Sequence, residues 1–192
     1  MKRRLLAVLL LSVLVMSMVS ATSVLADSPR KATGGVQSSW ALVGFPPEAD
    51  SMARHWTTFN VVEKYPGGPV KGWYTWRAYT DYSGWIKMDT RIDCVSFGEM
   101  DGNPIVVFAG VITKITPPDP WEWWLAPPSF WLYPGQYVKI WARDGGSPGS
   151  GNDEIGFYAG DLGPSFSSHP GCAVGGSPIV HAVEAGNLEI RD

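Results

Sequence analysis

Between Ile86 and Cys94 polar and apolar residues alternate without a break. Ile86, Met88, Thr90, Ile92 and Cys94 share one side; Lys87, Asp89, Arg91 and Asp93 share the other. A period of two is what a pleated strand with one wet face requires, and a helix would spread both sets around its whole circumference. This strand therefore extends from Ile86 to about Phe97. Asp81-Tyr82-Ser83-Gly84 precedes it, and Asp101-Gly102-Asn103-Pro104, which is turn chemistry, follows it. On either side lie Val70–Thr80, rich in aromatic and β-branched residues, and Ile105–Ile115. Residues 70–116 thus read as a three-stranded meander. Ile105, Val106, Val107 and Phe108 leave its last strand apolar on both faces. One face is expected against a core and the other beneath a cover, and further strands must complete that core.

The remainder of the chain supplies them. Gly34-Gly35-Val36-Gln37 is expected to begin a first strand. Trp56–Lys64, Gln136–Arg143, Glu154–Tyr158 and Val183–Arg191, with Leu188 and Ile190 inward, read as further strands, separated by Gly-, Pro- and Ser-rich turns. Residues 40–54 and 159–177 read as irregular. About eight short strands without a convincing amphipathic helix predict an all-β domain, an antiparallel up-and-down barrel, with a two-sheet sandwich as the alternative. Pairing the first strand with the last would remove two open edges.

The start of the chain has a different pattern. Lys2, Arg3 and Arg4 precede an apolar run from Leu5 to Val19, then small residues ending in Val24-Leu25-Ala26. This is the pattern of an export signal, with Val19-Ser20-Ala21 as a second processing choice. The expected organisation is a signal peptide at 1–26, a disordered lead-in at 27–33 and one β-domain at 34–192, secreted and extracellular. A retained anchor is the rival, because residues 5–25 could just span a bilayer, although several serines dilute them. Removing the leader takes the 15 basic residues to about 12 against 18 acidic ones. That balance argues against nucleic acid or an anionic membrane surface as partner. It leaves a glycan or a protein at the cell surface. Cys94 and Cys172 are an even pair, and an oxidising destination predicts that they form a disulfide; two separately buried thiols are the alternative.

Several short features resemble a group of small secreted bacterial β-domains of unknown function. They are Thr33-Gly34-Gly35, the strand Phe59-Asn60-Val61, Cys94-Val95-Ser96 ahead of Asp101-Gly102-Asn103, the late Cys172 and the closing Gly186-Asn187-Leu188-Glu189-Ile190. The Asp144–Asp153 turn belongs to the same set. The resemblance spans 34–191 and implies a β-barrel or sandwich. It carries no catalytic residue, and residues 117–135 look like an insertion into its pattern.

That insertion is the sharpest anomaly. Six prolines hold an extended run that carries Trp121, Trp123, Trp124, Phe130, Trp131 and Tyr133. Stiffly held aromatics suit stacking on sugar rings, on prolines or on another subunit, so these six are the candidate binding residues. A lid that buries its own rings is the competing reading, and would also account for the apolar Val106 and Phe108. Asp144, Asn152 and Asp153 border a Gly/Ser loop and could hold calcium through hard oxygen ligands, but a capped hairpin explains them as well. Gly145-Gly146-Ser147-Pro148-Gly149 matches a nucleophile-elbow pattern without the strand and helix that the elbow needs. His55, His169 and His181 are far apart in sequence; they could converge in space, but scattered histidines more often do ordinary surface work, which is the expectation here. The expectation is a secreted, non-catalytic β-domain, structural or ligand-binding, with no cofactor unless calcium is bound. The alternatives are a small barrel enzyme acting on an apolar or saccharide substrate, and a subunit of a surface assembly.

Overall fold

A computed structural model describes residues 28–41, 52–80, 84–116, 132–146, 152–160, 165–176 and 178–191. They form nine strands: β1 (Arg30–Ala41), β2 (Met52–Glu63), β3 (Val70–Thr80), β4 (Gly84–Met100), β5 (Asn103–Thr116), β6 (Tyr137–Arg143), β7 (Glu154–Phe157), β8 (Ile179–Ala182) and β9 (Ala185–Arg191). All pair antiparallel in a single curled sheet ordered β8-β7-β6-β5-β4-β3-β2-β1-β9. The β2–β3 and β4–β5 connections are tight turns. At the second, Asp101 and Gly102 take φ of 53° and 78°, the left-handed pair that lets a short hairpin follow the strand twist.

The two ends of the sheet are joined by one stretch of chain. Only Val183 and Glu184 separate β8, which pairs with β7, from β9, which pairs with β1. Across this link the Val183 amide donates to the Asp153 carbonyl at 3.0 Å and the Glu184 amide to the Gln37 carbonyl at 2.8 Å. The last run therefore changes partner midway, and β8 and β9 are two halves of one strand in an up-and-down barrel of the expected kind.

Where β9 passes beyond β7, carboxylates stand in for a neighbouring strand. Asp153 Oδ2 accepts from the Leu188 amide and Asp144 Oδ2 from the Ile190 amide, each at 3.1 Å. Their other oxygens accept from the Gly145 and Gly146 amides, each at 2.9 Å.

Every strand from β1 to β7, together with β9, sends residues into one interior core, among them Ala32, Phe59, Val61, Tyr74, Met88, Ile92, Phe108, Ile112, Ile140, Ile155 and Leu188. The rings of Phe59 and Phe108 meet at 5.0 Å near its centre. Gly34 faces the same space. A Cβ there would stand 2.5 Å from both Phe59 and Leu188, so the missing side chain is the room these two occupy.

Three expectations need correcting. The disordered lead-in expected at 27–33 is already strand from Arg30. Its side chain pairs with buried Glu63, with Nε 2.8 Å from Oε2, and lies over the Phe97 ring. The alternation of β4 does not run through Cys94. A bulge between Ile92 and Cys94 makes Asp93 an extra residue, so Ile92 and Val95 are both buried and Cys94 faces outward opposite Ala109. The partner strand allows this at Gly110, where a Cβ would lie 2.1 Å from the Arg91 carbonyl oxygen. Finally, Val106 and Phe108 face the interior core, so they need no lid; Ile105 and Val107 are the outward residues.

Those outward residues have their own cover. Ile105 and Val107 join Trp141, Tyr158 and Phe166 in a second apolar cluster on the outside of β5 and β6. Residues 165–176 lie along it as a strap. Tyr137 and Phe166 exchange backbone hydrogen bonds, Lys139 Nζ donates to the Ala173 carbonyl at 3.2 Å, and the same ammonium sits 4.4 Å from the Tyr158 ring centre. The Cys94–Cys172 disulfide, with Cα atoms 5.9 Å apart, ties the strap to the β4 bulge. Beside it His169 Nε2 lies 2.9 Å from Asp93 Oδ1, while His169 Nδ1 accepts from the Gly171 amide.

Candidate functional site

The outer faces of β2, β3 and β4 have no such cover among the described residues. The same alternation that fills the barrel sets Arg54, Trp56, Thr58 and Asn60 on the outside of β2, Trp73, Thr75, Arg77 and Tyr79 on that of β3, and Trp85, Lys87, Asp89 and Arg91 on that of β4. Pairing aligns them in rows: Arg54–Tyr79–Trp85, Trp56–Arg77–Lys87, Thr58–Thr75–Asp89 and Asn60–Trp73–Arg91. Trp85, Trp73 and Tyr79 are 56%, 48% and 41% exposed. Isolated exposed aromatics are ordinary; a group of this size held on rigid strands makes this face the candidate contact surface.

The rings are organised. Trp85 packs at 5.0 Å against Trp56 and at 5.5 Å, edge-on, against Tyr79. Trp56 and Trp85 form two sides of a shallow depression of about 310 Å³, completed by Thr58, Thr75 and Arg77. Beside it Thr75 Oγ1 donates to Asp89 Oδ1 at 2.8 Å, and Lys87 Nζ donates to Asp89 Oδ2 at 2.7 Å. Desolvation pushes the Asp89 carboxyl up, but the hydrogen bonds from Lys87 and Thr75, helped by the charges of Lys87 and Lys114, together hold it below the usual range. Asp89 is thus a fixed anion that neutralises Lys87. The depression combines flat apolar walls, hydroxyls and a guanidinium, which are the groups that stack on one face of a pyranose ring and hydrogen-bond its hydroxyl rim.

A second concentration of polar groups lies inside the barrel. His55, Ser38, Thr57 and Thr90 are all buried and inward-facing. His55 lies against Trp76, with ring centres 5.2 Å apart. Burial, with the His181 imidazole as a second cause, lowers the His55 pKa to about 3. Burial also lowers that of His181, whose ring stacks on Phe157. Burial raises the Tyr74 hydroxyl, against an opposing hydrogen bond with Thr57. His55 and His181 are therefore interior neighbours rather than surface residues. Sequence reasoning missed this for lack of strand register, although His55 alternates with Trp56 and Phe59 on a recognisable strand.

Of the aromatic residues singled out from the sequence, Trp121, Trp123, Trp124, Phe130 and Trp131 lie outside the described residues. Tyr133 is 40% exposed, and its backbone amide donates to Gln136 Oε1 at 2.8 Å. Asp144 and Asp153 do converge, with Asn152 exposed next to them, and their four carboxylate oxygens all serve backbone amides. Among the described residues, the metal-type cluster that geometry brings together is Asp93, Cys94 and His169. The disulfide occupies its sulfur. In comparisons with known proteins, no family model, no curated protein and no solved structure matches the chain.

Proposed function

We propose that this is an exported, non-catalytic β-barrel module that binds a saccharide chain on the outer face of β2–β4. The observation that carries the reading is the depression lined by Trp56 and Trp85, with Thr58, Thr75 and Arg77 beside the rings and exposed Trp73 and Tyr79 on the same face. Export is supported by the basic and apolar start of the chain and by the disulfide. β5 ends at Thr116, the cross-strand partner of Lys87 on this face, and Trp121, Trp123 and Trp124, which follow in the sequence, are proposed to add to the binding. A glycan array probed with the protein and with Trp73→Ala/Trp85→Ala tests the reading. We expect glycan signals that fall at least about tenfold in the variant, with only a modest drop in melting temperature, because both rings are about half exposed and Trp85 gives up its contacts with Trp56 and Tyr79. Wild-type signals that the variant retains in full would remove this face from consideration.

A second reading places a small ligand inside the barrel. It is favoured by the His55–His181 pair and by buried Thr90 Oγ1, which has no hydrogen-bond partner among the described residues. Imidazole resonances of His55 and His181 that shift on ligand addition, while Trp85 does not, would select this reading over the outer face.

A further inference from the structure

Resting on the saccharide reading above, we infer that the outer face of β2–β4 selects acidic polysaccharides, whose rings carry carboxylate or sulfate groups. Three of the four outward rings, all but Trp85, stand beside an arginine. Arg54 is the cross-strand partner of Tyr79, Arg77 that of Trp56, and Arg91 that of Trp73. Directly paired residues stand about 5 Å apart at Cβ, so an anion attached to a stacked sugar falls within reach of the guanidinium beside it. Arg54, Arg77 and Arg91 are all exposed. They make no ion pair among the described residues, whereas Lys87 is committed to Asp89. The face thus holds uncompensated positive charge on a chain whose net charge is −3. A purely neutral glycan would need the rings and hydroxyls but not this segregation of arginines.

The geometry also favours an extended ligand. Trp73 and Tyr79 lie six residues apart on β3, about 20 Å along the strand, and an arginine accompanies each end. A planar guanidinium binds carboxylate or sulfate through paired N–H groups and stays charged at any working pH, so both anion types suit the site. Rim charges of this kind are screened by salt, whereas stacking is not.

Affinity electrophoresis of the full chain tests this in gels containing polygalacturonate, dextran sulfate, neutral dextran or polyglutamate. We expect polygalacturonate or dextran sulfate to retard the protein at concentrations about tenfold lower than dextran. That preference should collapse in 0.5 M sodium chloride and in Arg77→Ala/Arg91→Ala. Trp73→Ala/Trp85→Ala should lose retardation by both acidic polymers. The two acidic gels separate carboxylate from sulfate as the recognised group. Equal retardation by dextran and the acidic polymers overturns the acidic selection and leaves the saccharide reading standing. Equal retardation by polyglutamate, or full retention by the tryptophan variant, reduces the effect to bulk charge attraction and overturns it. Absence of retardation in every gel overturns both readings.

Discussion

Asp153 occupies a place in the barrel wall where a neighbouring strand has run out. It is 4% exposed, and its two oxygens accept from the amides of Gly145 and Leu188. Removing the carboxylate strands a buried donor, so Asp153→Ala should lower unfolding stability by about 2–3 kcal/mol in urea titrations. Asp153→Asn retains one acceptor and should lose less. His55 makes a different prediction, because its imidazole is held neutral. Its folded pKa of about 3 lies below the ordinary 6.5, so between those values the unfolded chain binds a proton that the native barrel refuses. Stability should be unaffected by this group above pH 6.5 and fall steadily as pH drops from there toward 3. His181 acts with the same sign. Urea midpoints at pH 7.5 and 4.5 measure the slope, and His55→Gln should flatten it.

At the scale of the strand, the meander was legible because pleating imposes its own period. Ile86, Met88, Thr90 and Ile92 face inward as their alternation requires. Legibility ended at Asp93, since a bulge adds one residue without changing residue type, and it reversed the direction of Cys94. The signal that could have exposed it was Gly110 on the facing strand, but that facing was unknown. β8 was hidden for another reason: four residues among Gly, Pro and Ser are too few to show a period. The aromatic face was half visible. Trp73, Thr75, Arg77 and Tyr79 alternate in the sequence, but their convergence with Trp56 and Trp85 depends on a register that no single strand reveals. The bulge and the strap form one unit, joined by a disulfide that closes a loop of 78 residues. Cys94→Ser/Cys172→Ser should cost about 4–5 kcal/mol in the chain-entropy account. It should also uncover Ile105 and Val107, measurable as binding of a hydrophobic dye under native conditions. Gly110→Val should be at least as damaging, because the added Cβ meets the Arg91 carbonyl rather than a side chain that can move.

At the scale of the molecule, the barrel separates its tasks by direction. The interior is apolar with a polar end, one outer quarter is sealed by the strap, and the β2–β4 quarter presents rings and arginines to solvent. Alternating residues of the same strands serve both sides, so substitutions on the proposed binding face such as Trp85→Ala should leave the core untouched, and core substitutions should weaken the proposed binding only by unfolding. Comparing melting temperature with binding for Trp85→Ala and Phe59→Ala checks this separation: the first should lose binding at a small cost in stability, the second about 3–5 kcal/mol of stability.

The partner change between β8 and β9 has a consequence for how the chain matures. Residues 179–191 follow every other strand in the sequence, and among the described residues they alone bridge β7 to β1. Until that tail arrives, a growing chain carries two raw borders, each a template for the other copy's backbone. A protein shortened to end at Gly176 should therefore polymerise edge to edge, raising thioflavin fluorescence with concentration, while the intact chain stays dispersed. The tail works as a clasp, and premature termination should be punished by aggregation rather than by a merely looser fold.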